Sequence, residues 1–360
     1  MLRFIGKRLF YGLLVLLGVV TLVFFLFNIL PGDPARMMLG QRADAESIAI
    51  INRDLGRDRP VAVQYAGYLN DLLPLSLHNN RDSASFFFLA PDKYAPYTTL
   101  LRIGSTSLVM KAPYLRRSYQ SQRRVSEIIA TAFPQTALLA VVAMLFALVV
   151  GITLGVVAAL HKDSWIDRLT LVLSTLGMSL PSFFAAILIA WFFAYLLADW
   201  THLNMFGNLY TVDDYGCGQY IDLKNLILPA LTLGIRPLST LTQLTKNSML
   251  EALSQDYIRT ARAKGLSRRR VVLRHALRNA LNPVVTSASG WFASLLAGAV
   301  FVEYVFDWKG MGVVIVDGLE KYDFPVVMGT ILFICLLLVV INILTDILYG
   351  ILDPRVRITR

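Results

Sequence analysis

Apolar runs long enough to cross a bilayer recur along this chain, and no other feature constrains its fold as tightly. Residues 9–30 carry no charged side chain over 22 positions. At about 1.5 Å per residue that is enough to cross ~30 Å of hydrocarbon. Lipid offers the backbone no water, so such a run must satisfy its N–H and C=O groups internally, as a helix. A cleaved signal would have a shorter apolar core and a small-residue cleavage site, so residues 9–30 read as an uncleaved first helix. Further spans are expected at 134–160, 169–197, 223–244, 284–302 and 326–351. The sum is an all-α integral membrane protein with six transmembrane helices. Composition agrees: the 360 residues are 56% hydrophobic and 16% charged, with a mean hydropathy of +0.58.

Charge orients the bundle. The loop at 246–283 holds nine Lys and Arg against Glu251 and Asp256, a net of +7. Short basic loops stay in the cytoplasm, so this one is expected inside, with both termini (Arg3, Lys7 and Arg8; Arg355, Arg357 and Arg360). The loops at 199–224 and 303–323 each come to −3 and are expected outside. Four parts follow: residues 1–34 as N-terminus and first helix, 35–128 as a long extracytoplasmic insert, 129–352 as the transmembrane core, and 353–360 as a cytoplasmic tail. Within the insert, the segments at 86–91 (FFFLAP) and 93–97 (KYAPY) suggest strands or a packed lid.

The basic loop reads as helix, stop, helix. Asp256 is placed to cap the first helix, and Gly265 stands where a left-handed residue ends it, with Leu266 available for the accompanying apolar contact. Ser267 is the expected N-cap of a second helix running to Pro283. Ile258, Ala261 and Gly265 share one face. Two of them are very small, a face another protein could approach closely, framed by Arg259, Arg262 and Lys264. Composition alone equally allows a solvated loop held by anionic lipid.

The order of residues goes further. DYIRTARAKGL at 256–266, followed by RHALRNALNP at 274–283, resembles the cytoplasmic coupling loop of binding-protein-dependent ABC importer permeases, in the version of dipeptide and oligopeptide systems. The general motif has Glu-Ala-Ala, three residues, then Gly. Here Arg259-Thr260-Ala261 fills the triplet and Gly265 the glycine, so only the last Ala and the Gly match. The peptide-type version departs in the same way and shares the long spacing to Pro283. PGDP at 31–34, Leu55-Gly56 with Pro60, Gln64-Tyr65 and EYVFDWKGMG at 303–312 are similar to the same family. The resemblance covers residues 1–75 loosely and 122–358 well; nothing at 76–121 matches, and the Gly-Ser pattern usual there is missing.

The resemblance implies the type I ABC importer fold and transport of dipeptides or oligopeptides, with nickel or another small solute as the alternative cargo. It implies as partners a homologous second permease subunit, two ABC ATPase subunits that hydrolyse Mg-ATP, an extracytoplasmic solute-binding protein and membrane lipid. Coupling to the ATPases would fall to Asp256, Tyr257, Arg259, Ala261, Arg262, Lys264, Gly265 and Leu266. The location implied is the bacterial inner membrane, multi-pass, with both termini cytoplasmic.

The remaining chemistry is sparse. Gly6-Lys7 is followed by Arg8 and lacks an upstream glycine, so no phosphate-cradling loop exists and the chain is not expected to hydrolyse ATP or bind a cofactor. His78, His161, His202 and His275 are scattered, and Cys217 and Cys335 have no metal spacing. Among intramembrane carboxylates Asp346 lies near a span end, where pairing with a basic residue fits better than ion coupling. This argues against a secondary transporter. Arg236 either faces a cavity or sits near an interface. Pro181 should kink the third span. The small-residue fifth span serves close packing or lines a path. Arg236, Ser287, Gly290 and Asn342 are the candidate path residues. A structural, lipid-binding membrane protein would need positive charge in its loop but not this order of residues.

Overall fold

The computed structural model describes residues 2–29, 48–49, 52, 56–82, 85–94, 96–212 and 218–352. The PGDP stretch, Leu55, Cys217 and the tail at 353–360 lie outside the described residues. The chain divides into two compact units, one of Met1–Gly12, Ala132–Val313 and Ile334–Arg360, the other of Leu13–Thr131 and Val314–Phe333.

In chain order the elements are α1 (Leu2–Ile29), α2 (Val61–Leu72), β1 (Leu75–Asn79), β2 (Tyr97–Ile103), β3 (Thr106–Lys111), α3 (Val125–Leu160), α4 (Trp165–Ser179) and α5 (Ser182–Ile189), which continues as a π-helical stretch Ala190–Leu196. They are followed by β4 (Tyr210–Val212), β5 (Gln219–Ile221), α6 (Lys224–Ser254), α7 (Asp256–Ala263), α8 (Leu277–Gly298), α9 (Val300–Val305), α10 (Met311–Glu320) and α11 (Phe324–Leu352). The fold is mostly helical, but the all-α expectation is corrected by two small antiparallel sheets, β1-β3-β2 and β4-β5.

The spans differ in kind. Gly6–Phe27, Val125–Leu160 and Phe324–Ile347 are long and apolar enough to cross a membrane on their own. The expected kink at Pro181 is a full break: α4 and the helix after it meet at 113°. Proline offers no N–H and its ring clashes with the preceding turn, so α4 stops at an extended Leu180 and a new helix starts. Helices α6 and α8 are long but more polar. α6 runs unbroken past the expected boundary at 244, through Pro229 and Pro237, to Ser254. Pro283 likewise lies inside α8, which reaches back past the expected start at 284.

In the first unit α3 and α6 meet backbone to backbone. A Cβ on Gly155 would lie 2.7 Å from the Thr242 carbonyl, so the G-x-x-x-G of α3 is what allows that approach. The core joins Leu139, Ala143 and Ala147 of α3 to Leu228, Leu233 and Leu241 of α6, Val284 and Ala288 of α8, and Trp308.

In the second unit α2 lies on the distal part of α1, with Val23, Phe24 and Phe27 packed against Tyr68, Phe324, Val327 and Met328. The strands of this unit fall outside the segment at 86–91, which contributes only a bridge from Phe88 to Asn79. Asp71 organises the inner side of the sheet: it accepts from Tyr94 Oη at 2.8 Å, and its carbonyl accepts from Lys111 Nζ at 2.7 Å. Burial, and then the Lys111 charge, holds the His78 imidazole below its ordinary range.

Candidate functional site

The coupling stretch forms where α6 ends. Gln255 turns extended and α7 starts at Asp256. Asp256 is therefore not the cap expected. It is the first helical residue, its charge beside the helix N-terminus, and its Oδ1 accepts from Arg259 Nη1 at 3.3 Å. The C-terminal end follows the sequence pattern. Gly265 has φ +75°, Gly265 N donates to Arg262 O at 3.0 Å and Leu266 N to Ala261 O at 3.3 Å. That pair of bonds is the Schellman closure, which a residue without Cβ reaches at no steric cost. Ser267 stands at the N-cap of the next helical stretch, though its side chain makes no cap bond.

The two faces of α7 part company. Ile258 is fully buried and Ala261 nearly so, packed against Ala159 of α3, Met249 and Ala252 of α6, and Val271, Val272 and Ala276. Two of the three residues of the face expected to receive a partner, Ile258 and Ala261, thus point into the chain's own core, because an amphipathic helix turns its apolar stripe toward whatever apolar surface is nearest, and Gly265 alone of the three stays exposed. The outer surface belongs to Tyr257, Arg259, Arg262, Lys264 and Gly265, all exposed, with Arg268, Arg269 and Arg270 following. Leu266 is half-buried and closes the inner cluster. An ion pair between Lys246 of α6 and Asp167 of α4, both largely buried, ties the two helices together beside this stretch.

The four candidate path residues are not brought to one site by contacts. Arg236 on α6 and Asn342 on α11 are exposed, Ser287 on α8 is half-buried, and Gly290 has open space where a Cβ would point. Among the described residues no hydrogen bond joins any two of them. Asp346 does pair with a basic residue, as its position suggested. Arg8 Nε lies 3.0 Å from its Oδ2, and Arg8 Nη2 donates to Oδ1 at 3.1 Å.

Among the described residues the most deeply set carboxylate is one that no sequence pattern singled out. Glu303, just past the fifth expected span, belongs to the net −3 of the loop at 303–323 but is fully buried. Its Oε1 accepts from Thr136 Oγ1 and its Oε2 from Gly312 N, both at 2.6 Å. Met311 N donates to the same Thr136 hydroxyl at 2.8 Å, and Trp308 Nε1 to the Gln135 carbonyl at 3.0 Å. Burial pushes the Glu303 carboxyl up to about 7, against the bonds from Thr136, Gly312 and Val313 that favour its charged form. The usable signal was Gly310 and Gly312: a Cβ on Gly310 would lie 2.5 Å from the carboxylate. Asp323 is also buried and held by Ser118 and Tyr119 N, so this loop presents less negative charge to its surroundings than its residue count implied.

Comparison with known proteins adds the following. A family described as binding-protein-dependent transport system inner membrane component matches residues 151–358, and its N-terminal companion matches residues 1–84. The chain is 36% identical over 357 residues to the glutathione transport system permease protein GsiC of Salmonella typhimurium, covering 99% of both chains. It is 32% identical over 373 residues to the dipeptide transport system permease protein DppB of Alkalihalophilus pseudofirmus, covering 99% of this chain and 100% of that one. An inward-facing form of the MetNI methionine ABC transporter superposes with a TM-score of 0.49 at 16% identity, over 63% of this chain and 97% of that one. The alignment to the two permeases runs through residues 76–121, where no family likeness was expected.

Proposed function

The chain belongs to the family of binding-protein-dependent transport system inner membrane components, and from that premise we propose that it is the permease subunit of an ATP-driven importer of short peptides, glutathione among them. As a permease subunit it carries no ATPase site. The cargo is supported by the names of the two relatives, a glutathione and a dipeptide permease. The drive comes from two ATPase subunits, and the membrane assembly is completed by a homologous permease and fed by a solute-binding protein.

One observation carries the mechanism: α7 has its apolar face fastened to α3, α6 and the stretch before α8, while its cationic face is exposed. A partner that grips Tyr257, Arg259, Arg262 and Lys264 therefore moves the ends of three membrane helices as one body, and the bundle alternates between inward and outward access. The Schellman turn at Gly265 keeps that grip from slackening. Six helices cross the membrane, with α6 and α8 sheltered by their neighbours. Residues 35–128 lie outside and the loop at 246–283 inside. Arg8 and Asp346 join the first helix near its start to the last near its end, which supports placing both termini on one side. Arg236, Ser287, Gly290 and Asn342 border the path.

Charge reversal at Arg262 and Lys264 tests the grip. Both side chains are exposed, so melting and membrane insertion should stay within about 0.5 kcal/mol of the parent. Loss of one charged contact at the interface should lower ATPase association and peptide uptake at least about tenfold. Undiminished uptake and copurification of the ATPase with the doubly reversed chain would sink the assignment of this surface.

A further inference from the structure

The sheet β1-β3-β2 is built inside out. Its inner face buries Ser76, His78, Ser107 and Lys111 beside Val109. Its open face sets Leu75 opposite Met110, then Leu77 opposite Leu108 opposite Leu101, with Ile103 at the end of β2. Of these, Leu75, Leu77, Leu101, Ile103 and Met110 are at least half exposed. A sheet standing in water puts its leucines inward and its serines outward, so this pattern marks a covered face.

Its height along α1 says what covers it. Tyr65 Oη lies 2.6 Å from Thr21 Oγ1, and the Tyr65 ring packs on Phe24 and Phe25. Thr21 is six residues short of the end of the apolar run Gly6–Phe27, hence about 9 Å inside it. From Tyr65 to Asn70 is five residues of α2, at most about 7.5 Å. Asn70 is bonded twice to the backbone of Leu77, at 2.9 and 3.0 Å. The sheet thus starts within reach of the headgroup layer, which is ~5–7 Å deep in each leaflet. The neighbouring surface of α1, through Leu22, Phe25 and Leu26, is itself exposed and apolar. Among the exposed side chains of residues 61–124 five are basic, Arg81, Lys93, Arg102, Arg117 and Arg123, against Asp82 and Asp92, the charge balance that favours an anionic surface.

We propose that the open face of β1-β3-β2 lies in the interface of the leaflet at the distal end of α1, seated on anionic phospholipid, so that the segment after the first helix is a monotopic collar rather than a free-standing domain. The inference rests on α1 crossing the membrane. A collar of this kind fixes the height and rotation of α1, the helix that Arg8 ties to α11.

The test uses the assembled transporter in nanodiscs, with Cys217 and Cys335 replaced by Ser and a fluorophore on Leu77→Cys or, separately, Leu101→Cys; Lys93→Cys, at an exposed polar position, is the control. Phospholipid brominated in the acyl chain should remove more than about half of the emission at 77 and 101 and leave 93 unchanged. Replacing anionic by zwitterionic lipid should weaken that loss. Two results would overturn the proposal: labels quenched by aqueous iodide and not by bromolipid, which would mean an open surface awaiting a soluble protein, or labels shielded from both, which would mean a cover supplied by another subunit. Because either position reports alone, failure of one variant to assemble leaves the other decisive. Loss of peptide uptake in the control transporter would count against the transport reading, not against the collar.

Discussion

Two short helix-and-turn pieces, α7 with its Gly265 turn and α9 with the loop to Gly312, solve the same problem in opposite ways. Each must hold a sharp change of direction against the end of a long helix. α7 does it with apolar contacts inward and charge outward: it keeps Ile258 and Ala261 buried and leaves Arg259, Arg262 and Lys264 exposed. The α9 loop buries its charge and satisfies it internally, through Thr136 and Gly312 on Glu303 and Gln135 on Trp308. A segment that must be gripped keeps its polar groups available. One that only closes a corner uses them up.

The comparison breaks first at Glu303. Glu303→Leu should leave the Thr136 O–H and the Gly312 N–H with no acceptor and cost roughly 3–4 kcal/mol, whereas Glu303→Gln, close in shape and neutral, should cost about 1 kcal/mol. Thermal melting of the detergent-solubilised chain separates the two; equal melting of both variants and the parent would mean the carboxylate supports nothing. Acidity gives the next effect. The folded carboxyl sits near 7 and the unfolded one near 4.5, so the native state holds the extra proton between these values. Stability contributed at low pH is therefore lost as pH rises through that window, by on the order of 2–3 kcal/mol. Melting temperature should fall from pH 5 to pH 7.5 in the parent and stay level in Glu303→Gln; a parental curve that is flat or rising contradicts the assignment.

A smaller effect on folding than that of Glu303→Leu is expected at the other turn. Gly265→Val places a β-branched residue at φ +75° with nothing within 4 Å of its Cβ, so the penalty is backbone strain alone, roughly 1–2 kcal/mol. Insertion should persist while peptide uptake falls, since the turn sets the pose of the gripped face. Gly310→Ala, whose Cβ runs into the Glu303 carboxylate, should show the reverse: greater loss of melting temperature, with uptake per folded molecule retained. If the two variants behave alike, the distinction between a gripped and a closed corner fails.

Much of this was legible in the residues. The Gly265 stop followed from the helix before it and the apolar Leu266 after it, both local signals. Asp346 near a helix end predicted its pairing but not its partner, because Arg8 lies 338 positions away. The break at Pro181 was visible as a proline, but its 113° angle depends on which neighbours receive the freed ends. Asp256 was misplaced by one residue, the usual ambiguity where a helix begins on a run of polar side chains.

Contiguous residues were enough to place the long apolar helices α1, α3 and α11, the positive charge of the loop at 246–283, and the turn at Gly265 that favours a residue without Cβ. These depend on length, charge and backbone sterics, all properties of contiguous residues. That Ile258 and Ala261 face inward, that Glu303 is enclosed, and that the leucines of β1 and β2 face outward could be read only from the folded chain. A helix or strand pattern says which residues share a face; what that face meets is set by segments far along the chain, and burial is a property of the pair.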